Sequence, residues 1–115
     1  MKLQKKIFLE LAIQFVIISV GVFGMALLYN NNLLLTLLFC IVTTTGFVFW
    51  HSKSDILVFF TAAIIGTAAE ILNVGYGAWS YKNPTFLGIP IWLPFAWGVS
   101  FFIIKKMSET LSFNS

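Results

Sequence analysis

The sequence carries very little charge: its 115 residues include 7 basic residues, all of them lysine, and 4 acidic residues. Charged residues make up 10% of the chain and apolar residues 59%, whereas soluble domains are about 25% charged. Such a chain cannot cover a surface that faces water, so the sequence predicts an integral membrane protein. The same composition excludes an intrinsically disordered chain and a nucleic-acid-binding protein.

Metal-binding and disulfide chemistry also lack the residues that they need. Cys40 is the only cysteine and lies within an apolar run, so no disulfide can form within the chain. His51 is the only histidine, so no cluster of histidine and cysteine ligands can assemble around a metal ion. No nucleotide-binding or phosphate-binding motif occurs either, and we expect no metal and no cofactor.

The sequence does contain long apolar runs, separated by sparse charges and by turn-forming residues such as those of Asn30–Asn32. Apolar runs of about 18 residues or more are typical of transmembrane helices. The sequence therefore predicts an all-α, polytopic membrane protein, a four-transmembrane-helix bundle that forms one domain over residues 1–115. The predicted spans are residues 7–29, 33–50, 56–77 and 87–106.

The lysines are distributed unequally over the two sides of such a bundle. Lys82 alone would lie on one side, and the other six lysines would lie on the side that the two termini share. Because cytoplasmic loops carry an excess of lysine, we expect a multi-pass protein of the cell membrane with both termini in the cytoplasm. Glu10 and Gln14 interrupt the first apolar run, which favours a retained span over a cleaved signal peptide.

Small and polar residues fall on one face of the third predicted helix, at spacings of three and four. Membrane helices approach each other closely where residues are small, so we expect this face to pack against protein. Phe60, Ile64 and Ile71 lie on the opposite face and are expected to contact lipid or other packing partners. The small and polar face consists of Ala63, Gly66, Thr67, Glu70, Asn73 and Gly77.

Glu70 is the main candidate for a catalytic or ligand-binding side chain, because it is the only charge deep within the last three spans. An ionised carboxylate is costly in hydrocarbon, so Glu70 must be paired, hydrogen-bonded, protonated or close to water. One interpretation is a general acid or base, or a polar ligand-binding group. The other is a structural carboxylate that is bonded to Asn73, to a tyrosine hydroxyl or to a free backbone N–H.

The segment from Asn73 to Trp97 contains all three prolines and three of the four tryptophans. An aromatic belt at the membrane interface explains part of this, but the glycines and prolines also predict a loop of fixed shape. We expect Pro90 in the first turn of the fourth helix, with Pro94 leaving the Pro90 carbonyl without a partner. The loop is then expected to fold back near Glu70 and to form an aromatic-walled pocket on the outer side. The candidate ligand-binding residues are Asn73, Tyr76, Trp79, Tyr81, Lys82, Trp92 and Trp97.

Polar residues on the lysine-bearing side are expected to have structural roles. Glu10 and Gln14 lie one turn apart near Lys6, which predicts an ion pair at the interface. Asp55 is expected on a solvated face. Ser54 or Asp55 is expected to cap the third helix.

Residues 70–97 resemble carotenoid-biosynthesis membrane proteins, namely the hydratase-like proteins and, more distantly, small lycopene cyclase subunits. The pattern is the acid Glu70, then a glycine and aromatic loop with Trp79-Ser80-Tyr81, then Leu87-Gly88-Ile89-Pro90 entering a helix. The resemblance implies a proton-donor role for Glu70. The acidic residues of cyclase subunits are replaced here by Ile91-Trp92, so only Glu70 is carried over. The segment is also similar to small uncharacterised bacterial membrane proteins that end a span with a Pro-Ile-Trp-Leu-like motif.

The sequence leaves several functions open. We favour a small integral membrane protein with an apolar or lipid-type ligand pocket around Glu70 at the outer side of the membrane. The alternatives are a non-catalytic accessory or scaffold subunit, an isoprenoid- or carotenoid-modifying enzyme that uses Glu70 as an acid, and a small oligomeric transporter. The expected partners are bilayer lipid, an apolar or isoprenoid ligand, and a second copy or another membrane subunit, but no nucleic acid.

Overall fold

The computed structural model describes residues 2–112, which fold into four α-helices. These residues form no strand, although Phe86 and Ile89 pair in one isolated bridge. The prediction of an all-α fold with four helices is confirmed. The helices are α1 (Lys2–Leu28), α2 (Asn32–Phe49), α3 (Lys53–Gly75) and α4 (Leu93–Ser112).

Three of the helices, α1, α2 and α3, are long and apolar enough to cross a membrane. The fourth helix, α4, is less apolar along its length, because Lys105, Lys106 and Glu109 all lie in its second half. The length and apolar composition expected of membrane-spanning helices are therefore confirmed for α1, α2 and α3. The fourth span stays a prediction.

The centre of the bundle is α4, which packs against the other three helices and most extensively against α3. Phe102 and Ile103 of this helix are completely buried. Close packing depends on three glycines, because a side chain at Gly46, Gly66 or Gly98 would overlap an aromatic ring of a neighbouring helix. Small residues thus allow the helices to approach each other, as is common in membrane proteins.

The predicted small and polar face of α3 is only partly buried. Ala63 and Gly66 are buried in the contact with α4, whereas Phe60 and Ile64 of the opposite face are exposed. Ile71, also predicted on that opposite face, packs against the core and so has a packing partner within the protein. Gly77 is exposed because it lies beyond the end of α3.

The start of α3 is capped by Ser52, and not by Ser54 or Asp55. Ser52 Oγ accepts a hydrogen bond from Asp55 N at 3.1 Å, and Asp55 Oδ2 accepts one from Ser52 N at 3.1 Å. Asp55 is 1% exposed, and its Oδ1 lies 2.7 Å from Lys105 Nζ and 3.2 Å from Lys106 Nζ. The predicted solvated face for Asp55 is therefore wrong, because this carboxylate joins the start of α3 to α4.

The bundle has two different ends. The lysine-rich end contains the start of α1, the α2–α3 connection and the end of α4, and the loop end contains the α1–α2 turn and residues 76–92. At the lysine-rich end, the buried Gln14 donates to Thr110 Oγ1 at 3.0 Å, and Glu10 Oε2 lies 3.4 Å from the same hydroxyl. Within residues 2–112, Glu10 does not form the predicted ion pair with Lys6.

Candidate functional site

The loop end begins where α3 stops in a Schellman motif. The N–H groups of Gly77 and Ala78 donate to carbonyls of the last helical turn at 3.0 and 2.9 Å. Gly77 has φ +81°, a left-handed conformation that glycine adopts without strain. The chain therefore reverses direction directly after α3, and the reversal brings two aromatic residues of the loop back beside Glu70.

Glu70 holds these two aromatic residues through one oxygen atom. Trp79 Nε1 donates to Glu70 Oε2 at 2.7 Å, and Tyr81 Oη donates to the same oxygen at 2.9 Å. A tyrosine hydroxyl was one of the partners that the sequence suggested. The amide of Asn73, which was another, does not reach the carboxylate, because its Nδ2 donates to Ala69 O at 2.8 Å.

The hydroxyl of Tyr81 stays protonated over a wide pH range. Burial raises the pKa of Tyr81 to about 12, and the hydrogen bond and charge of Glu70 act in the same direction. The protonated phenol is the form that donates to a carboxylate. The contact between Tyr81 and Glu70 is therefore maintained at neutral pH.

A tight turn at Leu87 and Gly88 shapes the second half of the loop. Both residues have positive φ, 49° and 83°, and Phe86 and Ile89 on either side exchange hydrogen bonds of 3.1 and 2.9 Å. A two-residue turn of this kind favours glycine. A Cβ atom at Gly88 would also lie 2.7 Å from Val74 Cγ1, so the turn packs directly on the last turn of α3.

Relative to the start of α4, both prolines lie about one helical turn earlier than predicted. Pro90 is buried in the loop, and its carbonyl accepts a hydrogen bond from Leu93 N at 3.1 Å, so it is not without a partner. Pro94 lies in the first turn of α4, where the missing N–H would have no helical partner in any case. The predicted start of the fourth helix at Leu87 is therefore wrong, because α4 begins at Leu93. Pro94 does not interrupt the backbone of this helix.

Asparagines attach the loop to the α1–α2 turn, a contact that the sequence analysis missed. Asn32 Nδ2 donates to Asn83 O at 2.7 Å and to Thr85 Oγ1 at 3.1 Å. Asn83 Nδ2 donates to Tyr29 O at 3.0 Å. The sequence predicted only a turn for the asparagines after α1. The hydrogen bonds of Asn32 and Asn83 join residues more than 50 positions apart, so no local sequence pattern indicates them.

A cavity of about 200 Å³ lies between this loop and the α1–α2 turn. Trp92 is 6% exposed, and its Nε1 is buried without a hydrogen-bond partner among residues 2–112. The acceptor Asn32 Oδ1 is likewise buried without a partner there. Lys82 adds a cation, and its Nζ lies 5.3 Å from the ring centroid of Tyr29. The cavity walls include Tyr29, Asn32, Tyr81, Lys82, Asn83 and Trp92.

The structure brings three of the predicted ligand-binding residues, Tyr81, Lys82 and Trp92, together at this cavity. Glu70 does not line it, but is connected to it through Tyr81. The Tyr81 ring meets the Trp92 ring edge-on, with 6.3 Å between centroids, and Trp92 in turn stacks on Phe39 of α2 at 6.0 Å. The cavity is therefore fixed to both α2 and α3.

The other predicted ligand-binding residues lie outside this cavity. Tyr76 is 84% exposed, and the side-chain amide of Asn73 donates to Ala69 O within its own helix. Trp79 is 46% exposed and contacts Glu70 from the loop. Trp97 packs on Gly66 along the side of α3, away from the loop.

Comparisons of the chain with protein-family models, with curated proteins and with solved structures give no match. The resemblance of residues 70–97 to carotenoid-biosynthesis membrane proteins therefore stays a prediction. The contacts and charges of the loop end are then the basis on which a function can be proposed.

Proposed function

We propose that this protein is a multi-pass membrane protein that binds a lipid-type ligand at its loop end, with the polar head of the ligand in the cavity beneath the loop. The observation that carries this proposal is the pair of buried groups without partners, the donor Trp92 Nε1 and the acceptor Asn32 Oδ1. Leaving such a group unsatisfied costs about 1–3 kcal/mol. A ligand that bonds both groups would recover this free energy.

The chemistry of the walls favours a hydroxyl as the polar head. A hydroxyl accepts one hydrogen bond and donates another, so its chemistry suits both the donor Trp92 Nε1 and the acceptor Asn32 Oδ1. Lys82 is a further donor at the same cavity. At about 200 Å³ the cavity holds a polar head but not a whole lipid, so the apolar part of the ligand would extend along the helices. An isoprenoid alcohol has both parts.

In this proposal Glu70 is a positioning residue. It accepts the hydroxyl hydrogen bond of Tyr81, and the Tyr81 ring then forms part of the cavity wall. Because Glu70 itself does not line the cavity, the geometry supports binding more than acid catalysis by Glu70. The isoprenoid-modifying enzyme, the accessory subunit and the oligomeric transporter stay predictions from the sequence.

We also propose that α4 is the fourth span and that both termini lie in the cytoplasm. The lysine-rich end carries six of the seven lysines, a distribution that favours the cytoplasmic side. Residues 93–104 of α4 carry no charge, and the first lysine follows at Lys105. The loop end and its cavity would then lie at the outer surface of the membrane.

The binding of geranylgeraniol to the purified protein in mild detergent tests the proposed site. Native mass spectrometry should show retention of this alcohol but not of the corresponding hydrocarbon, which lacks the hydroxyl. The Trp92→Phe variant keeps an aromatic ring against Phe39 but loses the N–H. We expect it to bind the alcohol about three to ten times more weakly, the usual contribution of one hydrogen bond.

The matched control is Trp50→Phe, which makes the same change at the lysine-rich end and should leave binding unchanged. Glu70→Gln should weaken binding as well, because Tyr81 loses its charged acceptor. The proposal is wrong if Trp92→Phe and Glu70→Gln both retain as much alcohol as the wild type. Mass spectrometry of the apolar molecules that co-purify with the wild type and the same variants identifies the native ligand.

A further inference from the structure

A second cavity, a groove of about 720 Å³, runs along the side of α3 where it meets α4. Ala62, Gly66 and Ala69 form its floor because they are small, and the rings of Trp97 and Phe101 form one wall. These two rings stack on each other, with 5.7 Å between centroids. The groove is therefore an apolar surface cleft that is open to the surroundings of the protein.

The groove is long as well as apolar. Its α3 residues extend from Lys53 to Ala69, which corresponds to about 24 Å of helix at 1.5 Å per residue. Half of a bilayer hydrocarbon core is about 15 Å thick. An extended acyl chain that enters from the lysine-rich end can therefore lie in the groove across a whole leaflet.

The mouth of the groove at the lysine-rich end carries Lys53 and the hydroxyl of Ser54. Lys53 is exposed, and within residues 2–112 it forms no ion pair. Two of the other lysines at this end are occupied, because Lys105 and Lys106 both bind Asp55 and Glu109. A cation next to an apolar groove complements a lipid that joins a phosphate to an acyl chain.

We infer that this groove binds an anionic phospholipid of the leaflet at the lysine-rich end, with one acyl chain in the groove and the phosphate at Lys53. A second copy of the chain fits the charges less well. In a membrane the two-fold axis of a symmetric dimer runs along the bilayer normal, so two copies that pack through this groove would place both Lys53 side chains at the same depth of the interface. A phosphate neutralises Lys53, whereas a second lysine repels it. This site is independent of the cavity at the loop end.

Lipid retention by the full-length protein tests the headgroup contact. The protein is taken from bilayers of equal phosphatidylglycerol and phosphatidylcholine into mild detergent, and bound lipid is counted by native mass spectrometry. We expect the wild type to retain phosphatidylglycerol preferentially. Lys53→Gln should bind it about fivefold more weakly, whereas Lys5→Gln, an exposed lysine at the same end that does not line the groove, should match the wild type.

A groove-filling variant tests the chain contact. Ala62→Phe places a ring in the groove and should lower retention of phosphatidylglycerol, while Ala68→Phe adds the same ring to an exposed position of α3 outside the groove and should not. Trp92→Phe, at the loop end, should retain phosphatidylglycerol as the wild type does.

Four results would overturn the inference. The first is equal retention by Lys53→Gln and Lys5→Gln, and the second is equal retention by the two phenylalanine variants. The third is equal retention of phosphatidylcholine and phosphatidylglycerol by the wild type. The fourth is a dimer that is cross-linked between Ala69→Cys positions and excludes lipid, which would assign the groove to a second copy instead.

Discussion

Tyr81 connects two parts of the loop end through one side chain. Its hydroxyl bonds Glu70 of α3, and its ring contacts Trp92, which is stacked on α2. A change in the protonation of this single phenol therefore alters the wall of the proposed ligand cavity and the attachment of the loop to α3 together.

The stability of the protein should depend on the protonation of Tyr81 at alkaline pH. The pKa of Tyr81 is raised from 10.0 to about 12 in the folded protein. Between these values the unfolded chain loses the phenolic proton while the folded chain keeps it, so stability is complete below pH 10.0 and falls as the pH rises toward 12. Tyr81→Phe should reduce this loss of stability at alkaline pH. Thermal unfolding in detergent, measured at intervals of about one pH unit from about pH 9 to about pH 12, checks the prediction.

The matched control for this measurement is Tyr76→Phe, which removes a hydroxyl from a side chain that is 84% exposed. It should keep the wild-type dependence of stability on pH. An unchanged fall in Tyr81→Phe would show that the phenol does not contribute to the alkaline transition.

Residue type and position in the sequence indicated some of the site but not all of it. Glu70 stood out as a charge in an apolar run, and Tyr81, Lys82 and Trp92 as polar or aromatic residues in a loop that glycine and proline constrain. Asn32 could not be identified in this way, because its role depends on a loop more than 50 positions away.

The pair α3 and α4 is held together at one end by a buried carboxylate and in the middle by a glycine. Asp55 bonds two lysines of α4, and Gly66 lets Trp97 approach the backbone of α3. Electrostatics and close packing therefore act at different points along the same helix pair, and each can be removed separately.

Asp55→Asn should destabilise the protein by about 3 kcal/mol, because it leaves Lys105 and Lys106 without their buried partner. Glu109→Gln is the matched control, since Glu109 bonds the same lysines but its side chain is 51% exposed. That control should cost about 0.5 kcal/mol. The free energies of unfolding in detergent give the comparison, and equal losses would show that the burial of Asp55 has no effect on its contribution.

Gly66→Ala should destabilise the protein by about 1–3 kcal/mol, because the new methyl group would overlap the Trp97 ring and force the helices apart. Gly75→Ala adds the same group at the end of α3, where no atom lies within 4 Å. It should be neutral or slightly stabilising, because alanine favours helix more than glycine does. Thermal unfolding of both variants checks the difference, and equal midpoints would contradict it.

Apolar runs and turn residues were sufficient to predict four helices, and the three most apolar ones within a few residues. The start of α4 was not predictable in the same way, since Pro90 and Pro94 both suit a first helical turn. The burial of Ile89 and Pro90 within the loop decides between them, and this burial depends on packing against other parts of the chain. Ser52 and Asp55 have the spacing of a capping box, whereas the predicted cap was Ser54 or Asp55.

The whole molecule is polarised, with lysines at one end and a rigid aromatic loop at the other. If the lysine-rich end faces the cytoplasm, the Ser80→Cys variant should react with a membrane-impermeant maleimide in intact cells. The Ser108→Cys variant should react only after the membrane is permeabilised. Both are made in a Cys40→Ala background, and both positions are exposed. Labelling of Ser108→Cys in intact cells would reverse the orientation.

The central position of α4 has a consequence for the order of assembly during translation. The three most apolar helices leave the ribosome first, yet α3 makes its main contacts with α4, which follows it in the chain. The newly synthesised α3 is therefore without its principal neighbour until α4 has been synthesised. Ribosome stalling or premature termination between α3 and α4 would leave uncovered the face of α3 on which Trp97 packs at Gly66.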